Sequence, residues 1–155
     1  MDIALKAANT GHLVFATLHT TDAAQTIQRI MTFFAPERGQ EVRSLLAENL
    51  QGVISLRLIR TADGKARVPA CEVMVNTEAI RDFLHSGDRP SKIAELIAEG
   101  GVQYGMQTFD QSLMHLYQEG TIDEEEALAN ATNTSEFALK LRGIEGTSGR
   151  VWGEA

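Results

Sequence analysis

Hydrophobic residues near the start of the chain change from helical spacing to one short continuous run. Residues 2–9 form an alanine-rich helical pattern, and the apolar run Leu13–Leu18 follows after Gly11. Polar residues close the run from His19 onward. Short, nearly continuous apolar runs between such boundaries are typical of strands buried on both faces, so we predict a parallel β-strand at Leu13–Leu18.

Two more helices are predicted after that strand. Asp22 or Thr21 stands where an N-terminal cap is needed, and Pro36 suits the first turn of the second helix. The apolar positions that recur at helical spacing are Ile27, Ile30, Met31 and Phe34 in the first helix and Val42, Leu45, Leu46 and Leu50 in the second. Both helices should therefore pack one face against a core.

The period of the pattern changes to two between Val53 and Val75. Asp63-Gly64 lies between the two runs, and this dipeptide is a strong signal for a tight hairpin turn. The alternation in the first run separates two faces, which are Val53, Ser55, Arg57 and Ile59 on one side and Ile54, Leu56, Leu58 and Arg60 on the other. We predict an antiparallel pair of strands.

Helical patterns return from residue 77 onward. The predicted helices are Glu78–His85, Ser91–Glu99, Thr108–Glu119, Asp123–Ala131 and a weaker one at Ser135–Leu141. Thr108 and Gln111 have the spacing of a capping box, and Gly120 is placed to end a helix. The glycine-rich residues 143–155 are expected to be a disordered tail.

Composition narrows the class of function. The chain has 155 residues, 43% of them hydrophobic, and its 14 basic and 21 acidic side chains give a net charge of -7. Such a chain offers no broad basic surface to a phosphate backbone, so nucleic acid is not an expected partner. Cys71 is the only cysteine, which fits a reducing compartment and excludes a multi-cysteine zinc site. We expect Cys71 to be a small core residue.

The sequence also carries no signal for a membrane. No apolar run approaches the roughly 20 residues that span a bilayer, and the first residues contain no signal-peptide pattern. We therefore expect a cytosolic protein without a transmembrane segment.

Two histidines flank the predicted first strand. Ligands of open α/β sheets collect beyond the carboxyl ends of the strands, which places His19 within reach of a ligand. An imidazole there could donate a hydrogen bond to a terminal phosphate or orient an attacking water. His12 stands at the opposite end. By spacing alone each is equally well a polar residue at a strand end, and two histidines seven residues apart form no metal motif, so no metal is expected.

The residues around these histidines resemble a known family. Residues 7–21, Ala-Ala-Asn-Thr-Gly-His-Leu-Val-Phe-Ala-Thr-Leu-His-Thr-Thr, are similar to the histidine box of the type II and type IV secretion ATPases, and the resemblance continues through residues 51–60 to about Leu141. It implies an α/β fold, the C-terminal half of a RecA-like P-loop ATPase domain with a parallel strand and an antiparallel hairpin, followed by a helical C-terminal region. It also implies that His12 and His19 face bound ATP as catalytic residues.

The resemblance divides the chain into three parts. Residues 1–76 correspond to a partial RecA-like ATPase core, residues 77–142 to a C-terminal helical region, and residues 143–155 to the tail.

Two features favour the pilus retraction (PilT-type) branch of this family. Assembly-type and type II secretion members commonly carry a zinc-binding tetracysteine segment after the strand that matches Val53–Arg60, where this chain has a tight turn. Glu78–Leu84 also resembles the retraction motif Ala-Ile-Arg-Asn-Leu-Ile-Arg-Glu, although Asp, Phe and Leu replace Asn, Leu and Ile, and His85-Ser86 replace the final Arg-Glu. The motif residues that we carry over are Ala79, Ile80, Arg81 and Leu84. The alternative is an ordinary amphipathic helix that buries Ile80, Phe83 and Leu84.

The sequence lacks a phosphate-binding loop. A P-loop needs a glycine-rich turn that ends in Gly-Lys-Ser/Thr, and the only Gly-Lys pair, Gly64-Lys65, is followed by Ala66 in the predicted hairpin turn. The Walker B segment of the family is not present either. The complete parent is expected to use ATP and Mg, whereas this chain alone is expected to bind Mg-ATP weakly and to be inactive.

The resemblance implies a hexameric motor that couples ATP binding and hydrolysis to pilus disassembly, and thus to twitching motility. Its expected partners are further copies of itself and the inner-membrane platform protein of the pilus, which would place it in the cytoplasm, peripheral to the inner membrane at the pilus base. Two alternatives remain open. One is a non-catalytic module that contacts other subunits or the platform, and the other is a fragment of a type II secretion or pilus assembly ATPase.

Overall fold

A computed structural model describes residues 1–143 of the chain, so the tail predicted to be disordered lies outside the described residues apart from Gly143. The elements in chain order are α1 (Asp2–Asn9), α2 (Ala23–Met31), a 3-10 turn (Pro36–Arg38), α3 (Gly39–Asn49), β1 (Gly52–Arg60), β2 (Arg67–Val75), α4 (Glu78–Ser86), α5 (Ser91–Glu99), α6 (Gly101–Tyr104), α7 (Phe109–Gln118), α8 (Glu124–Asn130) and α9 (Thr134–Leu141). The fold class is mixed α/β, as predicted.

The parallel strand predicted at Leu13–Leu18 is not formed. Residues 12–20 are neither helix nor strand, and the side chains of Leu13 and Phe15 are 76% and 88% exposed. A strand exists through hydrogen bonds to a neighbour, and in the described part of the chain the sheet contains only β1 and β2, with one isolated antiparallel bridge between Val73 of β2 and Gln107. The apolar run therefore has no ladder to join, and the prediction of a buried strand is wrong for this structure.

The hairpin forms with the predicted turn. The Asn76 N–H donates to the Gln51 carbonyl at 3.0 Å and the Thr61 N–H donates to the Ala66 carbonyl at 3.1 Å, which fixes an antiparallel register over the full length of both strands. Asp63 Oδ1 accepts hydrogen bonds from the Thr61 hydroxyl at 2.6 Å and the Lys65 N–H at 3.1 Å. Gly64 has φ +67°, which favours glycine at this position.

The two faces of β1 differ in exposure. Ser55 and Ile59 are buried, whereas Ile54, Leu56 and Leu58 on the opposite face are 72%, 62% and 56% exposed. The alternation predicted from the sequence is confirmed, and the structure identifies the face that carries Ser55 and Ile59 as the inner one.

The described part of the chain forms two compact units. The first comprises Met1–Ser55 and Glu72–Gln107. Its core is built by α2, α3, α4 and α5 together with β2, and its largest fully buried side chains are Val42, Leu46, Met74, Ile80, Leu84, Ile93 and Ile97. All of these except Met74, which lies on β2, occur as pairs four residues apart on one helix, which explains why the sequence pattern located the helices.

The second unit comprises Leu56–Cys71 and the described residues from Thr108 on. Its core contains Ile59, Ala70, Phe109, Leu113, Ile122, Ala127 and Phe137. The capping box of α7 is present in both directions, since Gln111 N–H donates to the Thr108 hydroxyl at 3.2 Å and Thr108 N–H donates to Gln111 Oε1 at 2.7 Å. Gly120 has φ +71° just after α7, as predicted for a helix stop.

Three smaller outcomes concern the predictions directly. The short helix α6 was not predicted, because four residues are too few to show a period. Cys71 is half-buried and not a core residue. The predicted domain boundary after residue 76 stays a prediction; the first compact unit contains residues from both sides of it.

Within residues 1–143, no helix has both the length and the apolar character to cross a bilayer.

Candidate functional site

His12 lies at the C-terminal end of α1. Its backbone N–H donates to the Ala7 carbonyl at 3.1 Å, and its ring Nδ1 lies 3.1 Å from the Thr10 hydroxyl and 3.3 Å from the Ala7 carbonyl. Nδ1 donates to Ala7 if it carries the proton and accepts from Thr10 if it does not. In both cases the ring is exposed and held beside the last turn of the helix.

His19 lies at the other end of the extended segment, immediately before α2. Its side chain is exposed, and no hydrogen bond to it is found within residues 1–143. The next residue is fixed, because the Thr20 and Thr26 hydroxyls are 2.7 Å apart and the Thr26 hydroxyl donates to the Asp22 carbonyl at 2.8 Å. The imidazole of His19 is therefore free to contact a ligand. The backbone that carries it is anchored on its C-terminal side.

The N-terminus of α2, which follows this anchor, is held by two carboxylates. Asp22 Oδ1 accepts the Gln25 N–H at 2.8 Å as the N-terminal cap, as the sequence predicted. Glu72 Oε1 accepts the Ala23 N–H at 2.7 Å, and both of these residues are buried. The first N–H groups of a helix have no partner within it, and negative charge is favoured there, so both contacts stabilise the turn that follows His19.

No hydrogen bond joins the two histidines in the part of the chain that the structure describes. Seven residues separate them, so an extended backbone would place their Cα atoms at most about 25 Å apart. The structure thus places His12 and His19 at opposite ends of one exposed segment, and their predicted catalytic roles stay predictions.

The predicted retraction motif lies on α4 and has two kinds of side chain. Ile80 and Leu84 are fully buried, whereas Ala79 and Arg81 are exposed. The Arg81 Nη1 atom donates to the carbonyl of Asn76 at 3.0 Å. Half of the motif residues therefore pack in the core, as the amphipathic-helix alternative requires, and Arg81 is the charged residue among the four.

Asn76, which sequence reasoning missed, connects α3 to the start of this helix. Its Nδ2 donates to the Ala47 carbonyl at 2.9 Å and to the Leu50 carbonyl at 2.7 Å. Carbonyls in the last turn of a helix have no hydrogen-bond donor within that helix, so the Asn76 amide supplies the donors that the end of α3 lacks. Nothing in the sequence distinguishes this asparagine from one in an ordinary turn.

Glu72 was also missed, although the sequence contained a signal for it. It lies between Ala70 and Met74 on the inward face of β2, a face that is otherwise apolar. A charged residue at such a position has to be paired or hydrogen-bonded, so it marks a specific contact.

An ion-pair network joins α1 to the start of α3. Arg38 Nη1 donates to Asp2 Oδ1 at 3.0 Å, and its Nε and Nη2 donate to the two oxygens of Glu41 at 2.9 Å each. Asp2 also pairs with Lys6 at 2.7 Å. Hydrogen bonds from Lys6 and then Arg38 lower the pKa of Asp2, and a hydrogen bond from Arg38 lowers the pKa of Glu41. The same pairs raise the pKa of Arg38.

The described residues match neither of the two kinds of site considered from the sequence, a metal site and a phosphate-binding Gly-Lys turn. Among residues 1–143, no three His, Cys, Asp or Glu side chains are grouped so that they could hold a metal ion. Gly64-Lys65 lies in the hairpin turn between β1 and β2, where no helix follows to hold a phosphate at its N-terminus.

Comparison with known proteins gives a consistent set of similarities. The family model for type II/IV secretion system proteins matches residues 1–143. The chain is 42% identical over 139 residues to a twitching motility protein of Neisseria gonorrhoeae, covering 88% of this chain and 36% of that protein. It is 45% identical over 135 residues to the type IV pilus retraction ATPase PilT of Pseudomonas aeruginosa, covering 87% of this chain and 38% of that protein.

A solved structure agrees with these sequence matches. The crystal structure of the pilus retraction motor PilT with bound ADP superposes with a TM-score of 0.74 and 37% sequence identity, covering 87% of this chain and 37% of that chain. The chain thus spans somewhat more than a third of the length of the relatives that it matches.

Proposed function

Since the chain belongs to the type II/IV secretion system protein family, we propose that it forms the C-terminal part of a hexameric ATPase that drives type IV pilus retraction. The observation that carries this proposal is sequence identity of 42% to a twitching motility protein and of 45% to a retraction ATPase, in each case over nearly nine tenths of the chain. In such a motor, ATP binding and hydrolysis open and close the gaps between subunits, and this motion withdraws pilin subunits into the inner membrane.

His12 and His19 couple the nucleotide to the fold in this proposal. The exposed, unengaged ring of His19 and its anchored C-terminal neighbour suit a group that contacts a terminal phosphate. ATP and Mg are bound in the complete protein by a phosphate-binding loop that this sequence does not contain.

Arg81 carries the contact that converts this motion into retraction. Ala79 and Arg81 are the exposed residues of the motif, and Arg81 is the one of them that carries a charge, so its guanidinium is the motif group that a partner of α4 can pair with. The partner is a neighbouring subunit or the inner-membrane platform protein, which places the motor in the cytoplasm at the pilus base.

The proposal is tested by comparing two proteins for ATP binding and hydrolysis. The 155-residue chain alone neither binds Mg-ATP at micromolar concentration nor hydrolyses it. A chimera in which residues 1–143 replace the matching segment of the Pseudomonas aeruginosa retraction ATPase assembles into a hexamer and hydrolyses ATP. Substitution His19→Ala in that chimera lowers the kcat by about 100-fold. This is the lower end of the rate effects that positioned proton-transfer groups typically have. An assembled chimera whose ATP hydrolysis is unchanged by His19→Ala would contradict the role of this residue.

A second candidate is a non-catalytic module that acts through subunit or platform contacts. The lack of a Gly-Lys-Ser/Thr loop in this sequence favours it for the chain taken alone. A chimera that assembles without hydrolysing ATP would support this candidate. A type II secretion or pilus assembly ATPase is the further alternative within the family, and the single cysteine and the Arg81 helix argue against it.

A further inference from the structure

Four helices of the first compact unit surround a pocket of about 170 Å³. Its walls come from α2, α3, α4 and α5 and from the turn before α5, through the residues Ala24, Ile27, Gln28, Met31, Arg43, Phe83, Pro90 and Ile93. Six of these eight side chains are apolar, and Ile27, Phe83 and Ile93 are buried. Small-molecule sites usually enclose about 300 Å³ or more, so this pocket suits a single apolar side chain.

Arg43 is the only charged residue of this lining. It is half-buried, and within residues 1–143 its guanidinium has no ion pair, hydrogen bond or aromatic partner. Glu41, two residues before Arg43, pairs with Arg38, and Asp88, which follows Gly87, pairs with Lys92. A half-buried charge without a partner costs free energy, so a ligand carboxylate at this place would be favoured.

The orientation of the guanidinium leaves its donors available. A Cβ atom placed on Gly87 would lie 3.1 Å from Arg43 Cζ, 3.2 Å from Nη1 and 3.3 Å from Nε. These nearly equal distances mean that one flat face of the guanidinium lies against Gly87. The N–H groups of arginine point outward in the plane of the group, so they remain free to bind a carboxylate.

We propose that this pocket binds a peptide segment of a partner protein, in which one apolar side chain enters the pocket and the adjacent acidic residue pairs with Arg43. The net charge of -7 would repel a broadly acidic partner, so the segment carries its negative charge at that single position. The proposal rests on the pocket and its arginine, and it does not depend on ATP hydrolysis or on pilus retraction.

The test uses two peptides that differ in one group. The probes are acetyl-Gly-Leu-Asp-Gly-amide and its Asn counterpart, titrated into the isotope-labelled 155-residue chain and followed by NMR. We expect the Asp peptide to shift the signals of Ile27, Met31 and Ile93 with a Kd on the order of 1 mM and to bind about ten times more tightly than the Asn peptide. Shifts confined to other residues, equal binding of the two peptides, or no binding of either peptide would overturn the proposal.

Three variants separate the two halves of the site. Arg43→Gln abolishes the preference for Asp over Asn, and Arg43→Lys retains part of it, because a lysine supplies the charge without the planar donor pair. Ala24→Leu fills the pocket and raises the Kd of both peptides by a similar factor, at least about fivefold. Arg60→Gln, which removes an exposed arginine elsewhere, serves as the matched control and changes neither affinity. Retention of the Asp preference in a folded Arg43→Gln variant would overturn the proposal as well.

Discussion

The carboxylate of Glu72 accepts the backbone N–H of Ala23 at 2.7 Å across 49 residues of sequence. The contact joins the inward face of β2 to the first residue of α2, and it is buried at both ends. It thereby fixes the helix start that follows His19.

Replacement of Glu72 by Ala should lower the free energy of unfolding by about 2 to 3 kcal/mol, because the Ala23 N–H would be left buried without this acceptor. Glu72→Gln should cost less, since its side-chain carbonyl can still accept the hydrogen bond. Urea unfolding of the 155-residue chain and its two variants measures both values. Equal losses in the two variants would show that the charge matters and the hydrogen bond does not.

The amide of Asn76 is expected to hold the C-terminal end of α3. Asn76→Ala removes its two donors to Ala47 and Leu50 and should cost about 2 kcal/mol of unfolding free energy. The loss is moderated because the buried Oδ1 atom of Asn76, which has no hydrogen-bond partner within residues 1–143, is removed at the same time.

Asn76→Asp gives the sharper comparison at this position. A carboxylate would face two carbonyl oxygens with no proton to offer, so this variant should be less stable than Asn76→Ala at pH 7. Urea unfolding of the two variants at pH 7 decides the order. A more stable Asp variant would mean that the amide does not donate as described.

The ion-pair network around Arg38 predicts that the stability of the fold depends on pH in the acidic range. The pKa values of Asp2 and Glu41 are lowered in the folded state, so the stability that they contribute is present at neutral pH and is lost as the pH falls from about 5 to about 2. Arg38→Gln should therefore lower the urea midpoint slightly at pH 7 and leave it unchanged at pH 2. All three side chains are partly exposed, so 0.5 M salt should reduce the difference at pH 7. A difference that persists at pH 2 would point instead to loss of the contact between the Arg38 guanidinium and the Phe34 ring, whose centroid lies 5.3 Å from Cζ.

Much of the fold follows from local signals in the sequence. Asp22, Thr108 and Asp123 each accept the backbone N–H three residues later, so the helix starts could be predicted from short polar residues alone. The hairpin could be predicted in the same way from Asp63-Gly64. These features depend on neighbours within a few residues, which a single sequence displays.

Features that depend on distant neighbours could not be predicted. The run Leu13–Leu18 has the composition of a buried strand, yet strand formation requires a partner that the described residues do not supply. The contact of Asn76 with α3 spans more than 25 residues and involves backbone carbonyls, which carry no sequence signal. The alternation in β1 separated two faces without showing which one is buried.

The central claim is that this segment serves a retraction motor, and Arg81 tests it most directly. The measurement is the twitching zone of a Pseudomonas aeruginosa strain that lacks its own retraction ATPase and expresses the chimera carrying residues 1–143. We expect twitching with the unaltered segment, and loss of twitching with undiminished ATP hydrolysis for Arg81→Ala, whereas the neighbouring exposed substitution Asp82→Ala retains both. A chimera that hydrolyses ATP but never restores twitching, or an Arg81→Ala variant that twitches normally, would contradict the account.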